Sequence, residues 1–305
     1  MIGAIEAGGT KFVCAVGTKE GEWIKRVQFP TEQPEETMEN VINFFKSYDI
    51  EAIGVGSFGP CGVDPGKDNF GFITSTPKPG WRSYGMVPAF KKAFDVPIGF
   101  NTDVNAAALG EAVFGAAKGL DSCLYITVGT GIGAGAIVGG NLLQGVSHPE
   151  MGHILVRRHP DDAYAGTCPY HKDCLEGLAA GPSLEARYGK KGGQLAADGR
   201  VWEMEAYYLA QAIAQYVLIV SPKKVILGGG VMKQQQLYPL IRTNVKTLLN
   251  GYVDVLEINK NIEDYIVAPG LGADAGITGA LLIGKAALEQ KGREDEQTHF
   301  FHANL

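Results

Sequence analysis

Residues 2–17 read IGAIEAGGTKFVCAVG and residues 122–140 read SCLYITVGTGIGAGAIVGG. In each, an apolar strand runs into a Gly/Thr turn, and a second strand of small apolar residues leaves it. The turns are Gly8–Gly9–Thr10–Lys11 and Gly129–Thr130–Gly131, the latter followed by Gly133. One design used twice, about 120 residues apart, is an internal repeat and points to two related halves.

The intervening chain alternates strand and helix patterns. Strands are expected near Trp23–Phe29, Ala52–Ser57, Lys224–Leu227 and Tyr265–Val267, and helices over Glu35–Tyr48, Met86–Phe94, Trp202–Val220, Leu237–Leu249 and Asp274–Leu288. The pattern predicts an α/β protein of two similar lobes with a cleft between them. Residues 1–117 would form the N-terminal lobe and 118–272 the C-terminal lobe, with the last helix, 273–290, packing back on the first. The last residues, from near Lys291, are polar and expected to fray.

Composition narrows the classes of function. The chain has 305 residues, 45% hydrophobic and 20% charged, with a net charge of −6. An acidic balance without runs of like charge argues against nucleic acid or an anionic membrane as partner. No apolar run reaches the roughly 18 residues of a membrane-spanning helix. Five cysteines without a secretion signal read as reduced thiols or metal ligands, so the cytoplasm is the expected location.

Several residues can carry chemistry. The stretch NTDVNAAALGE, Asn101–Glu111, places Asp103 at a strand-to-helix junction, where it either caps the helix or is presented into a cleft. Gly8, Gly9, Thr10 and Gly129, Thr130, Gly131, Gly133 suit phosphate, because glycines let backbone N–H groups approach its oxygens and threonine adds a hydroxyl. Hairpin geometry alone is the other reading of either turn. Gly228–Gly229–Gly230, after a strand, is either a third site of close approach or a strand-end turn. Glu6 either holds a nucleotide-bound Mg²⁺, directly or through water, or is a strand carboxylate facing solvent, and Lys11 either meets a phosphate or lies on the surface. His153, Cys168, His171 and Cys174 form a Cys₂His₂ set for structural Zn²⁺, with Glu150 and Glu176 flanking it as acceptors for sugar hydroxyls. His148 and His159 have no such support.

Together these residues resemble the ROK sugar kinases, and within them the bacterial zinc-containing fructokinases. The resemblance runs from Ile2 to about Gly284, through EAGGTKF (Glu6–Phe12), SFGPCGVD (Ser57–Asp64), TPKPGW (Thr76–Trp81), NTDVNAAALGE, TVGTGIGAG, PEMGH (Pro149–His153), CPYHKDCLEG (Cys168–Gly177) and LGGGV (Leu227–Val231). It implies an actin/hexokinase-like (ribonuclease H-like) ATPase fold, with ATP, Mg²⁺ and Zn²⁺ as cofactors and a homodimer as the assembly. Asp103 would be the general base, and Glu150, His153 and Glu176 would hold the sugar. Gly8–Thr10 and Gly129–Gly133 would cradle phosphates, and Gly228–Gly230 would lie near adenosine. Three positions depart from many relatives: Glu6 for Asp, Thr102 for an Asn that contacts sugar, and His171 for a third cysteine. ATP-dependent phosphorylation of D-fructose is the leading expectation. The alternatives are a glucose, mannose or N-acylhexosamine kinase, or a sugar-sensing repressor, a class that carries a DNA-binding helix pair ahead of the first phosphate turn.

Overall fold

The first Gly/Thr turn joins β1 (Ile2–Ala7) to β2 (Lys11–Gly17) as an antiparallel pair, Ala7 opposite Phe12. β3 (Trp23–Pro30) adds antiparallel to β2, and α1 (Pro34–Phe45) returns the chain to β4 (Ala52–Ser57). β4 lies parallel to β1 and to β5 (Ile98–Thr102), which is reached through α2 (Met86–Ala93). The sheet order is β3-β2-β1-β4-β5, and α3 (Asp103–Val113) follows β5 directly. All six residues of β4 are buried, as an uncharged parallel strand covered on both faces should be. Phe12, Phe45, Trp81, Met86 and Phe90 pack in the core on one face. On the other, Ile2, Ala4, Val13 and Ala15 meet Ile277, Ala280 and Leu281 of the C-terminal helix Ala275–Ala303. That helix lies directly on the sheet because Gly54 has no side chain: a methyl there would stand 1.9 Å from the Ala280 carbonyl oxygen.

The second turn joins β6 (Cys123–Val128) to β7 (Ile132–Val138), again antiparallel, and β8 (Asn141–Leu142) adds to β7. A long stretch follows with α4 (Leu175–Ala179), α5 (Gly181–Tyr188) and α6 (Gly199–Val220). β9 (Val225–Gly228) then pairs parallel with β6. After α7 (Leu237–Leu249), β10 (Ile266–Val267) pairs parallel with β9. The order β10-β9-β6-β7-β8 repeats the first sheet, strand for strand and direction for direction. α4 and α5 escape a sequence reading because LEGLAAGPSLEARY is interrupted by Gly181–Pro182 before a helical period can accumulate.

The structure, a computed structural model, describes residues 1–303 and, for side chains, 1–293; the helix continues to Ala303, through most of the segment from Lys291 that the sequence marks for fraying. The chain divides into two compact units. One is Met1–Gly110 with Gln144–His148 and Ala273–Leu305; the other is Glu111–Leu143 with Pro149–Gly272. Among the described residues no helix is long and apolar enough to cross a membrane.

Candidate active site

At the β5–α3 junction the capping role belongs to Thr102. Its hydroxyl accepts the Asn105 N–H at 3.1 Å, three residues on, in the usual N-cap arrangement. Asn101 Oδ1 accepts from both the Thr102 N–H (2.9 Å) and Asn105 Nδ2 (2.8 Å), which fixes the approach to the helix. Asp103 is therefore the first helical residue rather than the cap, half-buried, with Oδ1 accepting the neighbouring Val104 N–H at 2.9 Å. Thr102, read from the sequence as a sugar contact, is 3% exposed with its oxygen engaged in the cap.

In the first turn, Gly8 N–H donates to the Lys11 carbonyl at 2.9 Å. Thr31 braces the turn from the end of β3, its hydroxyl donating to the Gly8 carbonyl (2.7 Å) and its N–H to the Thr10 carbonyl (3.0 Å). Gly9 and Thr10 are exposed, where ligand oxygens can approach. Lys11 Nζ donates to Gln28 Oε1 at 3.2 Å, which lays the side chain along the sheet. Glu6 is half-buried, and desolvation raises its carboxyl above the ordinary range, opposed by Arg26 and Lys11.

In the second turn the brace is a carboxylate. Glu176 Oε2 accepts the Ile132 N–H at 2.9 Å, and Gly131 makes room, since a methyl there would lie 2.6 Å from that oxygen. Gly181, opening α5, donates its N–H to the Gly129 carbonyl at 2.8 Å. Gly129 and Thr130, with Gly229 and Gly230 beyond β9, line a cavity of about 500 Å³ within this unit. Gly133 and Gly228 each lie within a strand, Gly133 opposite Thr127 and Gly228 against the hydroxyl end of Tyr125.

The ligand atoms of His153, Cys168, His171 and Cys174 all lie within 4.8 Å of one another. His153 Nδ1 is 3.7 Å from Cys168 Sγ and 3.5 Å from Cys174 Sγ, and His171 Nδ1 is 3.7 Å from Cys168 Sγ. A tetrahedron with bonds of about 2.0–2.3 Å has edges of about 3.3–3.8 Å, so the set fits Zn²⁺. The backbone N–H of His171 also points at Cys168 Sγ (3.5 Å), a donor suited to a thiolate. His153 divides its nitrogens: Nδ1 belongs to the cluster, and Nε2 lies 3.9 Å from Glu176 Oε1. One residue can thus serve both roles read from the sequence. Glu150 is near enough to feel Glu176. Desolvation, and then that charge, push its carboxyl up to about 7.

Residues 2–287 match the ROK family model. The chain belongs to the ROK family. A Bacillus subtilis relative is 58% identical over 296 residues, covering 97% of this chain and 99% of its own. The fructokinase of Pediococcus pentosaceus is 46% identical, covering 95% and 99%. Among solved structures, the ROK hexokinase of Thermus thermophilus matches with a TM-score of 0.77 at 29% identity, over 95% of this chain and 99% of that one. The fold is accordingly the actin/hexokinase-like fold expected from the resemblance.

Sequence reasoning missed how this ROK chain holds its Cys/His loop. Arg187, on α5, donates from Nη2 to Asp162 Oδ2 (3.0 Å) in the loop and to the Leu178 carbonyl (2.7 Å) ending α4. Tyr208 donates to the same Asp162 oxygen at 2.6 Å. Glu205 is fully buried in the same neighbourhood and its carboxyl is raised well above the ordinary range by desolvation, opposed by Arg187. A lone Arg or Asp in a polar stretch carries no signal of burial, so only the packing reveals the network.

Proposed function

We propose that this protein transfers the γ-phosphoryl group of ATP to the 6-hydroxyl of D-fructose. The observation that carries fructose over other hexoses is end-to-end similarity, at 46% identity, to a relative named fructokinase. The geometry supports the roles. Asp103, relieved of capping by Thr102, is the general base that accepts the proton of the attacking hydroxyl. Glu150, Glu176 and His153 Nε2 take the sugar's other hydroxyls, and Glu176 ties that group to the second turn through Ile132. Gly8–Thr10 and Gly129–Thr130 offer backbone donors to phosphate, with Gly229 and Gly230 beside the nucleoside. Glu6 is the carboxylate placed for the nucleotide-bound Mg²⁺, which when bound neutralises charge on the phosphoryl oxygens. His153, Cys168, His171 and Cys174 hold Zn²⁺ in a closed set whose work is structural. The protein works in the cytoplasm as a homodimer.

An ADP-release assay with ATP and Mg²⁺ across fructose, glucose, mannose and N-acetylhexosamines tests this reading. The highest kcat/KM is expected on fructose. Turnover on none of them would favour a sugar-sensing regulator, and a preference for another hexose would reassign the substrate.

A further inference from the structure

The Glu6 side chain, near the end of β1, has a definite place to go. Gly276, the second residue of the C-terminal helix, is buried beside it. A methyl built on Gly276 would stand 2.6 Å from Glu6 Cδ, 2.6 Å from Oε1 and 3.0 Å from Cγ. The three nearest atoms all belong to the Glu6 side chain. The backbone does not demand glycine, since Gly276 is not among the residues with positive φ. Glycine inside a helix is otherwise disfavoured relative to alanine. What needs the gap is the Glu6 side chain.

The surroundings fix the rest of its environment. Asp274, just before the helix, is paired with Arg26 at 2.5 Å, and Lys11 is tied to Gln28 at 3.2 Å. Glu6 therefore lies over the first turn of a helix, where the dipole favours a carboxylate, between two engaged cations and a second acidic group, Asp274. We infer that Gly276 is a positioning residue for Glu6: its missing side chain is the slot that sets where the Glu6 carboxylate stands beside the first phosphate turn. This rests on the kinase reading of Glu6 as the carboxylate facing the nucleotide's divalent cation.

The atoms nearest a methyl at 276 belong to a flexible side chain, which can swing aside cheaply. Gly276→Ala should consequently fold, with a thermal midpoint unchanged or raised in the absence of nucleotide. The displaced carboxylate should show in metal binding. Mn²⁺ retained by the protein–ADP complex, followed by the EPR signal of free Mn²⁺, should be held about tenfold more weakly in Gly276→Ala, the size typical of a disturbed outer-shell partner. Glu6→Asp withdraws the side chain from the slot, so Gly276→Ala/Glu6→Asp should bind Mn²⁺ as well as Glu6→Asp alone. Non-additivity of this kind is the signature of direct contact. Parent-like Mn²⁺ affinity in Gly276→Ala, or a double variant weaker than Glu6→Asp, would overturn the role of Gly276 alone. A parent that holds no Mn²⁺ with ADP would overturn the kinase reading and this inference with it.

Discussion

The two Gly/Thr turns occupy the same place in two sheets of the same strand order, yet their charges come from opposite sources. Around the first, ionisable groups sit on the sheet itself: Glu6 before the turn, Lys11 after it, and Asp103 directly after β5. At the matching places around the second stand Thr127, Ile132 and, after β10, Ala268. Its carboxylate arrives from outside, as Glu176 on α4, carried by the stretch that holds the Cys/His cluster. The braces differ accordingly, a neutral Thr31 in one unit and an ionisable Glu176 in the other. Strand pairing needs small residues and apolar faces, so a repeated scaffold is indifferent to where charge is added. The lesson is that the second unit should answer to metal and pH, and the first to its own side chains.

The largest effect should come from the first unit. Asp103→Asn keeps the Thr102 cap and should keep stability, while kcat falls by roughly 10²–10⁴-fold in steady-state assays. A folded variant turning over within about threefold of the parent would remove the base from this side of the comparison.

Metal removal should fall on the other side. Chelation, or Cys168→Ser, is expected to lower Tm by on the order of 10 °C. Amide exchange should accelerate at Ile132, whose N–H is held by Glu176, and stay slow at Thr31. Equal acceleration at both turns would break the distinction.

Glu205 sharpens it through pH. Its folded carboxyl is raised above 4.5, so from about that pH upward the folded state binds more protons than the unfolded one and stability falls as pH rises. Urea melts of Glu205→Gln should lack this slope, and the variant's advantage should grow between about pH 5 and pH 8. An advantage that shrinks with pH would mean that Glu205 is ionised beside Arg187. The smallest effect is reserved for the neutral brace: Thr31→Val should cost about 1 kcal/mol in urea unfolding, independent of metal. A metal-dependent cost would mean that the two turns are not braced separately.

The repeat, the strand positions and the longer helices were legible because each is a local pattern: Ala52–Ser57 and Leu237–Leu249 carry their period in consecutive residues. The Cys/His set was legible for the same reason, since Cys168, His171 and Cys174 share one short loop. Whether Asp103 or Thr102 caps α3 was not, because both are capping residues one position apart and only the Asn105 N–H direction decides. The bracing by Thr31 and Glu176, the Arg187–Asp162 pair and the Glu6–Gly276 fit join residues far apart in the chain. Sequence specified the scaffold and the chemical groups, through periodicity and motif. Tertiary structure alone decided which group each one touches, because hydrogen-bond partners and excluded volume depend on distances that chain order does not encode.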